Sequence, residues 1–482
     1  MLFNSVAFLI FMAAFYAIWP LLRPRKNPRW IFLTIASFFF YGWWDWRFLF
    51  LLIGSGLIDF VAALAMVRWP ARKKIWLLLS MTANIGTLAL FKYADFFIGN
   101  ANGVARLFGM EWHLPAANLI LPVGISFYTF QSMSYTIDVY RNQLTPTRNV
   151  FHFFAFLSLF PQLVAGPILR AADMLPQMEE DRRATEQQRW DGLKLIAFGF
   201  FKKVVVADNL AATVNSAWGA TDITHSAPLW WLIMVLFAYQ IYCDFSGYSD
   251  IARGLGKWMG YEFMLNFDHP YIADSFGDFW RRWHISLSTW FRDYVYIPLG
   301  GSRMGAWRST VNLWITMLVS GFWHGADWAF LVWGGIHAAL LSLEKFTLWP
   351  QRLGKLAGRH VRVAAIFFLT LITWVFFRAG SVPKSLVPEG KLARAFEVLW
   401  AMFDVRAWDF APVGRMIGDT QYYVLAIMVL RQLFFHFRLD QARWDLRAPV
   451  PSRLAEQFAV AVVLVCCVFL RGQGHAFIYF QF

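Results

Sequence analysis

Stretches of predominantly apolar residues, about 20 long, recur along this chain from one end to the other. The most uniform are Leu2–Leu22, Phe48–Val67, Ile75–Leu90, Pro228–Cys243, Val361–Phe377, Tyr422–Leu433 and Leu454–Leu470. Less uniform ones are Trp30–Trp44, Leu119–Ile137, Phe151–Leu169, Leu193–Ala207, Val311–Trp323 and Ala329–Leu343. Lipid offers the backbone no hydrogen-bond partner, so such runs must satisfy their amides internally, as helices. The expected fold is therefore all-α and polytopic. It has about ten to thirteen hydrophobic segments, some of them re-entrant.

Composition agrees. The 482 residues are 58% hydrophobic and 15% charged, where a soluble domain carries about 25% charged residues. The 26 Trp fit a chain that crosses the headgroup layer many times. The formal charge of +14 comes from Lys and Arg clustered between apolar runs. That is the pattern of cytoplasmic loops against anionic lipid, so membrane lipids are the expected partners and nucleic acid is not. Basic loops at Arg23–Arg29 and Arg68–Lys74 orient the first three spans, with the N-terminus outside. The N-terminal run lacks a positive leader and is too long for a signal-peptide core, so it reads as a retained span. Ala171–Lys194 reads as an amphipathic helix on the membrane surface. Three cysteines show no disulfide or metal spacing.

Residues 238–340 depart from this pattern. Acids, Arg, His, Gly and Pro are interleaved with Trp, Tyr and Phe, too polar for lipid and too aromatic for a solvated loop. Short helices and buried irregular backbone lining a cavity fit both properties. His324, in SGFWHGADWAF, is the sharpest residue, an ionisable group after about 13 apolar or small positions. The competing reading is a neutral, hydrogen-bonded core histidine. Gly321 and Gly325 beside it allow close approach of a ligand or a second backbone. Asp327 either orients the ring or ends the buried segment. His284 lies in FWRRWHISLSTWF and reads, by itself, as an interfacial residue among snorkelling arginines. Together the two imidazoles could supply a base and a polarising donor. No thiolate or Glu completes a zinc set.

Asp138, Asp244, Asp250 and Asp293 read as partners of Arg141, Arg253 and Arg292, and His337 as structural. Lys202 and Lys203 mark a membrane edge, with weak potential for an anionic nucleotide such as coenzyme A.

Five segments, in order, carry a resemblance: LPVGISFYTFQSMSYTIDVYR (Leu121–Arg141), LVAGPILR (Leu163–Arg170), DFSGYSDIARGLG (Asp244–Gly256), FWRRWHISLSTWFRDYVYIPLGG (Phe279–Gly301) and GFWHGADWAFLVWGGIHA (Gly321–Ala338). Together they resemble the membrane-bound O-acyltransferase family and, within it, the bacterial branch that acetylates alginate. The resemblance covers most of the first 345 residues, with a core at about 120–345 and C-terminal helices at about 346–482. It implies one membrane domain, a ring of helices with re-entrant and interfacial pieces around a central cavity, in a bacterial inner membrane. The family's signature histidine matches His324 and the bacterial branch's second histidine matches His284. The implied reaction is O-acetyl transfer from a cytoplasmic thioester, acetyl-CoA, to a hydroxyl of an exported polysaccharide. No cofactor is bound permanently and no metal is implied. Peptidoglycan and teichoic acid acylation proteins share these features, which leaves the acceptor open among them and cellulose.

The implied partners are a periplasmic serine-hydrolase-like acetyltransferase and a polysaccharide synthesis and export complex, since a polymer does not readily thread into a buried cavity. Two rivals use the same residues otherwise. A transporter or flippase for a lipid-linked precursor would use the histidines as a proton relay, although no internal repeat is visible. A non-catalytic scaffold would tolerate their replacement.

Overall fold

The computed structural model describes residues 1, 3–220, 224–387, 389–437, 450–475 and 477. Secondary structure among the described residues is helical, and the backbone gathers into two compact units, Met1–Leu193 with Ala252–Met264, and Lys194–Ile251 with Leu265–Phe482.

The first unit holds α1 (Val6–Leu22), α2 (Lys26–Gly42), α3 (Arg47–Arg68), α4 (Lys73–Leu88), α5 (Ala94–Leu107), α6 (Ile125–Tyr140), α7 (Val150–Leu157) and α8 (Ala171–Glu179). A carboxylate sits at its centre. Asp59 on α3 is fully buried and accepts hydrogen bonds from Ser80 (2.5 Å) and Asn84 (2.8 and 2.9 Å) on α4, and from Ser132 on α6. Three helices are thereby tied at one point, and the charge is met by donors rather than by a cation.

Two expected segments are shorter as helices than as apolar runs. Leu119–Ile137 becomes helical only at Ile125, because Pro122 precedes and Gly124 adopts φ 78°. Phe151–Leu169 is helical only to Leu157, since Pro161, Gly166 and Pro167 follow. Residues 158–169 are nevertheless all buried. Side chains help satisfy the backbone there and at the end of α7: Ser37 accepts from the Phe160 amide, and Gln131 and Gln162 both donate to the Phe156 carbonyl.

The stretch Ala171–Lys194 is not one helix. It breaks after Glu179, and the next helix, α9 (Glu186–Phe200), begins beyond a polar gap. The fully buried Arg29 guanidinium donates to the Met178 and Glu179 carbonyls, joined by the Trp30 indole on Met178, which caps α8 there.

In the second unit follow α10 (Asp208–Gly219), α11 (Ala227–Met259, of which the part to Ile251 lies here), α12 (Phe276–Arg282), α13 (Ile285–Phe291), α14 (Gly305–His324), α15 (Trp328–Thr347), α16 (Trp349–Ser381), α17 (Lys391–Phe403), α18 (Ala411–Met416), α19 (Asp419–Phe437) and α20 (Val450–Phe469). α16 is broken at Gly358 (φ 83°), so its apolar half starts where the sequence places a span.

Among the described residues five helical stretches are long and apolar enough to cross a membrane: α3, Pro70–Leu107, α11, α15 and α16; α1 is apolar but shorter. The chain is an all-α polytopic membrane protein. Of its most apolar stretch, α11 buries 83%, against 17% for Pro70–Leu107. α11 is therefore enclosed by protein, while Pro70–Leu107 presents its side chains outward.

Candidate active site

His324 is the last residue of α14, and His284 the residue just before α13. Both lie in the second unit, and both are buried (3% and 0% exposed). The Trp323 indole joins them, with ring centroids 6.3 Å from His284 and 5.0 Å from His324. Two histidines 40 positions apart in sequence thus border the same side chain.

Helix α14 stops at His324 for a local reason. Gly325 is extended and Asp327 caps the next helix, its Oδ1 accepting from the Ala329 amide at 2.9 Å. Asp327 therefore ends the buried segment, the second of its two expected roles. The last carbonyls of α14 form the negative end of the helix dipole, which favours positive charge at the His324 ring. Trp333 and Phe377 also border it, each with its centroid 5.1 Å away.

Gly321 lets a backbone approach, not a ligand. A β carbon there would lie 2.3 Å from the Phe330 carbonyl oxygen, and one on Gly334 would lie 2.4 Å from the Met317 carbonyl oxygen. α14 and α15 touch backbone to backbone through this glycine pair. Gly325 faces the Phe330 ring in the same way.

His284 adopts φ 43°, ψ 55°, a left-handed conformation that costs a residue with a β carbon about 1–2 kcal/mol. Asn266, fully buried, holds it there. The Asn266 carbonyl accepts from the Ile285 amide at 2.9 Å. Its side-chain oxygen accepts from the Ser286 hydroxyl (2.9 Å) and amide (3.3 Å) and lies 3.1 Å from His284 Nδ1. Asn266 did not stand out in the sequence, where it is one neutral polar residue within MLNFDH. The available signal was a buried-type polar residue in an apolar, aromatic stretch shortly before the second histidine.

A cavity of about 170 Å³ lies among α12, α13, α14 and α15, and neither histidine lines it. Its wall includes Trp280, Leu287 and Ser288 around the α12–α13 turn, and Met317 and Ser320 on α14. Ser320 is one turn before His324. The imidazoles themselves pack against aromatic rings, closer than the open pocket expected from the sequence.

Other ionisable residues are buried or paired locally. His337 is fully buried among Trp333, Trp280 and Phe279. Asp293 pairs with Arg292 at 2.7 Å, as expected. Lys203 is buried between Asp208 (2.8 Å) and Asp244 (2.7 Å), and Lys202 pairs with Asp250 at 2.5 Å. Their charges are already met by carboxylates, which removes the weak case for a nucleotide there.

The profile of the membrane-bound O-acyltransferase family matches residues 143–379, a span that includes Asn266, His284 and His324. A probable alginate O-acetylase AlgI of Pseudomonas putida is 39% identical over 448 residues, 91% of this chain and 88% of that protein. The chain belongs to the membrane-bound O-acyltransferase family. A peptidoglycan O-acetyltransferase of Helicobacter pylori is 36% identical over 420 residues, 80% of this chain and 78% of that protein. A teichoic acid D-alanyltransferase of Bacillus subtilis is 29% identical over 249 residues, 48% of this chain and 61% of that protein. These relatives are named for different acceptors. Membership in the family therefore fixes the class of reaction more firmly than its acceptor.

Proposed function

We propose that this protein is an inner-membrane O-acetyltransferase. It moves an acetyl group from a cytoplasmic thioester, acetyl-CoA, to a hydroxyl destined for an exported polysaccharide of the alginate type. The observation that carries the reading is the burial of His284 and His324 against one indole, in the segment that matches the family.

His324 is the general base. The acceptor oxygen attacks the thioester carbonyl carbon as its proton passes to His324, forming the C–O bond and a tetrahedral oxyanion. Collapse breaks the C–S bond, and the coenzyme A thiolate leaves with the proton returned by His324. The products are an acetyl ester and free coenzyme A. Imidazole suits this exchange because its ordinary pKa of about 6.5 lies near working pH. The C-terminal end of α14 stabilises the charge that the ring gains during the step. His284 has two possible tasks, donating to the thioester carbonyl or positioning the alcohol.

Side-chain movement at the aromatic wall must admit both substrates, and the cavity bordered by Ser320 and Leu287 offers space for one of them. A periplasmic serine-hydrolase-like partner completes transfer to the polymer, so the purified protein alone does not acetylate polymer.

Purified protein in proteoliposomes loaded with acetyl-CoA tests the reading. Release of coenzyme A that depends on an alcohol acceptor outside supports acyl transfer. Movement of a lipid-linked sugar with the thioester intact would replace it with transport.

A further inference from the structure

Resting on the role proposed for His284, we infer that Asn266 is a positioning residue that locks His284 with its proton on Nδ1. The imidazole then accepts a hydrogen bond from a second hydroxyl of the acceptor, next to the one whose proton passes to His324, and does not donate to the thioester.

The orientation of the Asn266 amide is over-determined. Its oxygen meets three groups: the Ser286 hydroxyl, the Ser286 amide and His284 Nδ1. Its nitrogen donates to the Ser249 hydroxyl on α11 at 3.1 Å. Turned over, the amide would set its NH₂ against the Ser286 N–H, donor against donor. The oxygen therefore faces His284, and an oxygen 3.1 Å from Nδ1 calls for a hydrogen on that nitrogen.

A neutral imidazole carries one ring proton. With it on Nδ1, Nε2 keeps a lone pair. Burial supports the neutral form, pushing the ring down to about 3. The Ser286 hydroxyl lies 3.5 Å from Nδ1 and already donates to Asn266, so it does not compete for that position. A neutral ring of this tautomer has nothing to donate from Nε2. Of the two tasks open to His284, only positioning the acceptor is left, by accepting from a hydroxyl other than the one whose proton passes to His324.

The same contacts also hold the left-handed backbone of His284. Structural and tautomeric roles must therefore be separated. The protein is labelled with ¹⁵N-histidine and reconstituted in lipid, and the His284 resonances are assigned by their loss in His284→Gln. The nitrogens are read at neutral pH without substrate.

The expected result is a protonated Nδ1 and a bare Nε2 in the wild type. Asn266→Ala should lose that preference and release coenzyme A about tenfold more slowly or worse, in the direction that wrong-tautomer variants of catalytic histidines take. Asn266→Asp keeps an acceptor oxygen, so it should keep the Nδ1 proton and exceed the alanine variant in rate. A wild-type ring protonated on Nε2, or an alanine variant with Nδ1 still uniquely protonated, would overturn the inference. The tautomer is read without turnover. Its failure is therefore distinct from failure of the acetyltransferase reading, in which the wild type releases no coenzyme A.

Discussion

His324 and His284 reach one indole by different local devices. His324 is delivered by the end of a helix, and His284 by a left-handed turn stapled to Asn266. A left-handed histidine persists only where its surroundings over-determine it, which draws attention to what the turn presents. His284→Ala should accumulate in the membrane and release coenzyme A more slowly by about 10²-fold or more, the usual worth of a positioned proton-transfer group or its partner. Proteoliposome kinetics check this, and a rate within about twofold of wild type would remove His284 from the chemistry. His324 was legible in the sequence because an ionisable residue interrupts an apolar run. Asn266 was not, because nothing local separates a satisfied buried amide from a loop residue; only its four contacts across α11 and α13 do so.

At the scale of elements, α14 and α15 are held at backbone contact by Gly321 and Gly334. Gly321→Ala places a methyl 2.3 Å from a carbonyl oxygen, which a rotamer change cannot relieve. The helices must part, at a cost of about 1–3 kcal/mol. Because His324 lies three residues further on, activity should fall with stability. Thermal unfolding in detergent together with coenzyme A release measures both; an unchanged midpoint would contradict the packing. Most helices were readable as apolar runs, since α3, α4, α15 and the second half of α16 follow hydropathy closely. The misreadings have physical causes. Residues 158–169 are as apolar as a span but are bent by Pro161 and Pro167 into buried irregular backbone, which hydropathy cannot tell from helix. The surface helix expected over Ala171–Lys194 is instead cut at Glu179, where the donors that end it come from distant Arg29 and Trp30.

In the second unit, one buried lysine is neutralised by acids on two other helices. Lys203 joins Asp208 on α10 and Asp244 on α11, and also donates to the His475 carbonyl at 3.0 Å. Lys203→Met should destabilise the protein by about 3–5 kcal/mol, because two carboxylates lose their buried partner. Thermal unfolding checks this, and a neutral outcome would mean that water reaches the site. The sequence shows these lysines as a charge pair after an apolar run but does not show the acids that fold onto them. The central claim, acyl transfer through the imidazole that ends α14, is met most directly by His324→Ala. That variant should insert and accumulate like the wild type while acceptor-dependent release of coenzyme A from acetyl-CoA falls to background. Release at the wild-type rate would contradict the account.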